Sequence, residues 1–542
     1  LISKNFVIFT FLCIILMMPA IYAENITFDV YPSDEELYEA YLRGDIDYQT
    51  YLNLSEIFED GIDSTELYLL EEIPNISFFL KSNLTDYSEL EKEQTETYIT
   101  KDKEKIGWLK ARTYQKLEED GDFKNHYLIN SRLGSEWSCR GEFKQNYEGT
   151  KRWTRRSLSY QTNRGDIKKI IIGNYNTRFG LGLTVGYHGK LLEKSDATVG
   201  QTVAFPDYGG FNGIYIEGGR RRDSLKLLMH YDRDNETELL LGALGNKRRY
   251  KNFTWEGIVL GATVKNRLIN KRYTHYQLGT FLEYSKYSYT AGAEMALARG
   301  KDKMVPAAIL ETTYRQEDVS LKFSVWHYGR GFINLAGGGR AGSIYQTVAI
   351  DTIDYEFRDK RTDQSGVLLK SRVDFDNDIE LNFSFTAYGK DKFDKAAAIL
   401  TGFIYPLNDK SSVGIDYDYS RRDRPGEVLT SNEIRAVYRL RKKALSLRSY
   451  LGYNIDKAYK KYVSGFTRLR SEIKRLGILE LWFNMDKIDY KIGRIDYFYG
   501  YIKETFYLMG ALELAAKYSY RFNRFYTDPE LSIFLLEMKL IW

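Results

Sequence analysis

Long runs of strict two-residue alternation constrain this chain more than any other feature. In LELAAKYSYRFN, Leu512, Leu514, Ala516, Tyr518, Tyr520 and Phe522 share one face, while Glu513, Ala515, Lys517, Ser519 and Arg521 share the other. Successive side chains of a strand point to opposite faces, so such a segment reads as a strand with one greasy and one polar surface. DIELNFSFTAYGK repeats the pattern, with Ile379, Leu381, Phe383, Phe385 and Ala387 set against Glu380, Asn382, Ser384, Thr386 and Tyr388. SSVGIDYDYSRRD does so again, and IRAVYRLRKKALSLRSYLGYN reads as two strands around a turn at Lys442–Lys443. From about residue 126 onward such segments recur with no helical interruption and no fixed repeat period.

Alternation alone also describes a soluble sheet with one wet face, and a soluble all-β protein is the alternative. Three features favour a barrel in lipid. The segments run to roughly 10–16 residues, against the usual 5–6 of globular strands. Their apolar faces end in Tyr and Phe, as at an interfacial aromatic girdle. Tyr is abundant, at 45 residues, and Pro is scarce, at 8 of 542, which suits long strands paired along their whole length. A mean hydropathy of −0.44 and 28% charged residues exclude a bundle of membrane helices. The expected fold is mainly β: a large antiparallel transmembrane β-barrel over 121–542, of roughly 22–24 strands, preceded by a small α-helical domain.

The start, LISKNFVIFTFLCIILMMPAIYAENITF, has one positive charge at Lys4, an apolar run from Phe6 to Met18 and a Pro-containing break before Ala23. It reads as a secretory signal over 1–23, too short to anchor the chain. Cys139 is then the only cysteine after cleavage, so no internal disulfide is expected. Residues 24–120 form the expected head and linker. Leu37, Tyr38, Tyr41 and Leu42 fall at helical spacing, and Ser33 with Glu36 forms a capping box. This segment holds 25 acidic and nine basic residues, a net charge of −16, which leaves +19 on the residues that follow. An acidic helical head precedes a basic β body.

The chain ends ELSIFLLEMKLIW, with Phe534, Leu536, Met538, Leu540 and Trp542 on one face. An alternating apolar final strand with a terminal aromatic resembles the signal read by the bacterial barrel-assembly machinery. The stretch IIIGNYNTRFGLGLTVG carries a second resemblance, through Gly173, Tyr175, Arg178, Phe179, Gly180, Gly182 and Leu183. Its glycine spacing is not that of a phosphate loop, and no βαβ unit surrounds it. It is similar instead to a group of uncharacterised bacterial outer-membrane β-barrels that begin with a helix-hairpin-helix-like module. The head resembles that module around 61–84, where Leu67, Leu70, Ile73, Pro74 and Ile76 take its apolar positions. Asn75 and Ser77 stand where DNA-binding members carry glycines. Together with the acidic charge, this argues against nucleic-acid contact, which rests on Lys and Arg.

His126, His188, His230, His275 and His327 are scattered, with no spacing that builds a catalytic triad or a metal site. No catalytic role, cofactor or metal is expected. Arg220, Arg221, Arg222, Arg248, Arg249, Arg439 and Arg441 sit at turns or strand ends, where they would line a rim or lumen and favour small anionic solutes, or else keep loops solvated. FINLAGGGRAGS (332–343) reads as a long loop able to fold inward as a constriction. The expected protein is an outer-membrane pore or transport barrel for small solutes. Its partners would be outer-membrane lipid and the barrel-assembly machinery, and its periplasmic head would dock on or gate it. A non-conducting structural or adhesive barrel is the alternative.

Overall fold

The computed structural model describes residues 107–542, apart from 187–210 (Ala204 excepted), 337–347, 351–356 and stretches of one to five residues at other turns. The signal segment and the helix-hairpin-helix-like residues Leu67, Leu70, Ile73, Pro74 and Ile76 lie outside the described residues. Twenty-four strands form one antiparallel sheet that closes on itself, and no helix occurs among the described residues. Every barrel strand pairs with the barrel strands before and after it in the chain. A separate two-stranded ladder, Val348–Ile350 with Phe357–Asp359, lies within one long connection.

The seam lies between the first strand, Gly107–Lys116, and the last, Glu530–Ile541. Their register runs from Trp108 opposite Ile541 to Lys116 opposite Ile533. At its end Gly107 and Trp542 exchange both backbone hydrogen bonds, each at 3.0 Å. The strand from Gly107 falls inside the stretch that the sequence assigns to the head and linker, so the barrel begins at residue 107 rather than 121. Charge explains the misplacement: Lys110, Arg112 and Lys116 give the strand the polar look of its neighbours, although Lys110 and Arg112 point into a buried interior.

Alternation sorts the two faces as the sequence predicts. In Thr237–Tyr250, Leu240 is 51% exposed and faces outward, while Leu241 beside it is 1% exposed and faces inward. Ile415, Ile434, Leu451, Ile502, Leu536 and Met538 are likewise exposed on the outer surface. Phe534, Leu536, Met538, Leu540 and Trp542 share that outer face, and Glu537 and Lys539 turn inward. A closed sheet has no edge, so every strand meets a partner on both sides.

The two ends of the barrel differ. Gly107 and Trp542 mark one end, where the hairpins Arg220/Asp223, Tyr250/Phe253, Lys286/Tyr289 and Lys442/Leu445 also close. The two long connections, 176–210 and 329–363, both leave from the opposite end.

Candidate functional site

The inner wall has two chemically distinct arcs. Over the strands between Asp223 and Tyr328 it is largely apolar, with Leu239, Leu241, Ile258, Leu260, Ala262, Val305, Ala307 and Ile309 all buried. An apolar inner face in a barrel must be covered, and here it is covered from within. After the strand Ile167–Tyr175, residues 176–186 turn into the lumen, and Phe179, Leu183 and Val185 are wholly buried against the wall. Residues 329–336 leave the same end and bury Phe332, Asn334, Leu335 and Ala336. The two loops and the wall together form the buried apolar clusters of the interior.

Carboxylates on the wall hold the first loop. Glu294, fully buried in Tyr289–Arg299, accepts from the amides of Leu181 (2.7 Å), Leu183 (3.1 Å) and Thr184 (2.9 Å). Glu256 accepts from the Gly180 amide at 3.0 Å and pairs with Lys226 at 2.9 Å, whose ammonium also lies 5.0 Å over the Phe179 ring. A loop in an apolar interior has backbone donors with no strand partner, and charged acceptors satisfy them strongly. Gly180 has φ +54°, and a Cβ there would meet a Glu294 carboxylate oxygen at 2.8 Å and Phe281 at 2.9 Å. Gly279 on the wall leaves room for Thr184, whose hydroxyl oxygen would stand 2.0 Å from a Cβ.

The second loop clamps the first. Asn334 donates its side-chain amide to the carbonyls of Leu183 and Thr184, and the Gly186 amide donates to the Ala336 carbonyl at 2.8 Å. Glu256, which the loop tip reaches, lies three residues from the hairpin at the far end of the barrel. The inward loop therefore spans most of the lumen's depth along this arc.

The opposite arc is charged. At the seam Glu537 pairs with Arg112 (2.6 Å) and Lys110 (3.4 Å), and Lys539 pairs with Glu513 (3.0 Å). Further round, Arg439 stands directly opposite Arg448, and Arg448 opposite Arg468. Glu480 binds Arg468 at 2.9 Å, and Glu433 binds Arg435 at 2.5 Å. Beside these cations runs a row of inward rings on neighbouring strands: Tyr450–Phe466 at 5.3 Å, Phe466–Trp482 at 4.6 Å and Trp482–Tyr501 at 5.7 Å between centroids.

The residues singled out in the sequence separate into groups. Tyr175, Phe179, Gly180, Gly182 and Leu183 all belong to the inward loop or its root, and Gly173 (φ +108°) sits in the strand before it. Arg220, Arg222, Arg248 and Arg249 lie at the rim shared with Gly107, where Arg220 reaches Asp166 at 3.5 Å and Arg248 reaches Asp223 at 3.8 Å across exposed surface. Arg221 is outside the described residues, and the strand Glu427–Lys442 carries Arg441 near the same rim. Among the described side chains of the set, Arg439 joins the lumenal array. His126 contacts Glu142 at 3.0 Å, His230 accepts from the Asn212 amide at 2.8 Å, and His327 meets Ser365 on the outer surface at 2.8 Å. Among the described residues no group of three metal-ligating side chains occurs.

Sequence reasoning missed Glu256 and Glu294, and it marked the stretch 332–343, whose described residues 332–336 do turn inward, without the clamp that Asn334 makes. The available signal was a lone carboxylate amid small apolar inward positions, as in AGAEMALAR, where a lumenal charge needs a partner.

No family model matches the chain, and no curated protein matches it. Among solved structures it is similar to the translocation pore of the P pilus usher PapC, at 10% identity over 80% of this chain and 99% of that one, with a TM-score of 0.44. The siderophore receptor PirA from Pseudomonas aeruginosa matches at 9% identity over 82% and 81%, with a TM-score of 0.44. The outer-membrane protein opdK from Pseudomonas aeruginosa matches at 8% identity over 59% and 98%, with a TM-score of 0.31.

Proposed function

We propose that this chain is an outer-membrane transport barrel that passes small solutes through a lumen narrowed along one arc by its own loops. The observation that carries the reading is the pairing of a closed 24-stranded sheet with an apolar outer surface and a charged inner arc. Lipid offers no hydrogen bonds, so a sheet can span a membrane only when closed, with grease outward and charge inward. The acidic segment 24–106 joins the barrel at the end where Gly107 begins, and Arg220, Arg222, Arg248 and Arg249 lie at that same rim. Opposite charges at one mouth support docking of the segment there, as a gate on the periplasmic side.

The test is single-channel recording of the refolded mature protein in planar bilayers. Stable conductance steps are the expected result. Silence from protein shown to be folded in the bilayer would discard the pore. The second reading, a non-conducting structural or adhesive barrel, would then stand, favoured by the depth to which residues 176–186 fill one side of the lumen.

A further inference from the structure

We propose that an apolar groove on the outer surface, across the strands from Asp394 to Ile473, binds one acyl chain of an anionic phospholipid whose phosphate sits on lysines of the rim beneath. The inference rests on the reading of the barrel as one that lies in lipid.

Its first support is shape. The outer surface dips where the small side chains Ala436, Ser449 and Thr467 stand on adjoining strands, and the depression has a volume of about 460 Å³. That size falls within the range of small-molecule sites. Ser449 stands opposite Tyr438 on one side and Thr467 on the other. Phe403, Tyr405, Ile415 and Leu451 surround the dip, and all four are exposed. The hydroxyls of Ser449 and Thr467 meet each other at 3.1 Å, which suits them to an apolar lining.

Its second support is place and charge. Tyr405 lies three residues before the end of its strand at Asn408, and Tyr438 four before the end of its own at Lys442. At about 3.3 Å per residue, the groove opens roughly 10–13 Å from the rim that carries Gly107. Tyr rings at such a depth are the kind that anchor at headgroup level. Lys410 and Lys442 stand on the two hairpins that close beneath the groove. In the sequence DK (409–410), RKKA (441–444) and EIKRL (472–476) hold six basic residues against two acidic ones, while the neighbouring connection before Glu380 is acidic, with Asp374, Asp376 and Asp378. Basic clusters beside an apolar span attract anionic headgroups, and a Lys can keep its stem on the apolar surface while its ammonium reaches the phosphate.

Charge also decides between occupants. Lipid tails are as apolar as the groove, so what retains one chain is close packing in a concave floor together with the charge at the rim. A second copy of the barrel, inserted the same way round, would bring a second basic rim against the first at the same level, and like charges oppose that.

Native mass spectrometry of the full mature chain released from zwitterionic micelles is the test, with dioleoyl phosphatidylglycerol and dioleoyl phosphatidylcholine as probes. One phosphatidylglycerol is expected to stay on each barrel under conditions that strip phosphatidylcholine. Ala436→Phe fills the floor with a side chain that lipid tolerates, and should weaken retention about tenfold. Val259→Phe, elsewhere on the outer surface, should leave it unchanged. Lys410→Gln with Lys442→Gln should bring phosphatidylglycerol down to the level of phosphatidylcholine. Thermal unfolding needs no variant: phosphatidylglycerol should raise the midpoint by several degrees more than an equal amount of phosphatidylcholine. Equal retention of the two lipids, or equal behaviour of Ala436→Phe and Val259→Phe, would overturn the site. A barrel found at twice the monomer mass, and returned to monomer by Ala436→Phe, would give the groove to a second copy instead. Liposome flotation separates the site from the reading beneath it. A chain that does not enter liposomes loses the membrane and the groove together, whereas one that enters and retains no phosphatidylglycerol loses the groove alone.

Discussion

At the scale of single residues, Glu294 carries the largest local load. Its carboxylate answers three backbone amides that have no strand partner, in a place closed to water. A buried donor left without an acceptor costs about 1–3 kcal/mol. Glu294→Ala is therefore expected to loosen residues 180–184 before it loosens the wall. Hydrogen exchange should read this as exchange about tenfold or more faster at the Leu181, Leu183 and Thr184 amides, with the amides of Thr237–Tyr250 unaffected. Glu294→Gln keeps an acceptor oxygen and should sit between the two. The glycines of the loop were visible in the sequence as a cluster, but their reason was not. Gly180 is required because a carboxylate from a strand more than a hundred residues later fills the space where a side chain would go.

At the scale of elements, the seam between Gly107–Lys116 and Glu530–Ile541 decides whether the sheet closes. It joins residues at opposite ends of the described chain, so it forms only after a long loop is closed, and inward charges help set its register. Glu537 serves two of these charges, Arg112 and Lys110, at 2.6 and 3.4 Å. Removing one partner of a buried pair costs about 3–5 kcal/mol, because the other is left uncompensated, whereas replacing both with apolar groups is often neutral. Glu537→Ala should lower the urea midpoint of unfolding in micelles, and Arg112→Met with Glu537→Met should recover part of the loss, since Lys110 also loses its contact with Glu537. If the single and double variants unfold alike, the pair does not hold the seam. Trp542, the terminal aromatic that the sequence marks, lies on the outer surface beside Gly107.

At the scale of the whole molecule, charge is divided between a segment of −16 and a body of +19. The docking proposed above would act through screened electrostatics, with a Debye length of about 10 Å at 0.1 M salt and about 3 Å at 1 M. Deleting residues 24–106 is expected to raise the open probability in planar bilayers at 0.1 M salt, and the difference should shrink by 1 M. Traces that are the same with and without the segment at both concentrations would remove it from the gating reading.

The sequence by itself determined the strand class, the two faces of each strand and the direction in which the last strand shows its apolar side, because a period of two is a local property of the chain. It also bounded the strand number, which the closed sheet sets at 24. It did not place the first strand, because Gly107–Lys116 closes the barrel through a partner some 430 residues away. Nor did it show that one arc of the inner wall, over the seven strands from Asp223 to Tyr328, is largely apolar. In the sequence an inward leucine such as Leu241 and an outward one such as Leu240 look the same, and only the closure of the sheet assigns them to lumen and surface. The carboxylates under the inward loop, the clamp at Asn334 and the arginine row are contacts between distant segments. Their chemistry depends on register and depth in the barrel, and only the tertiary structure decides those.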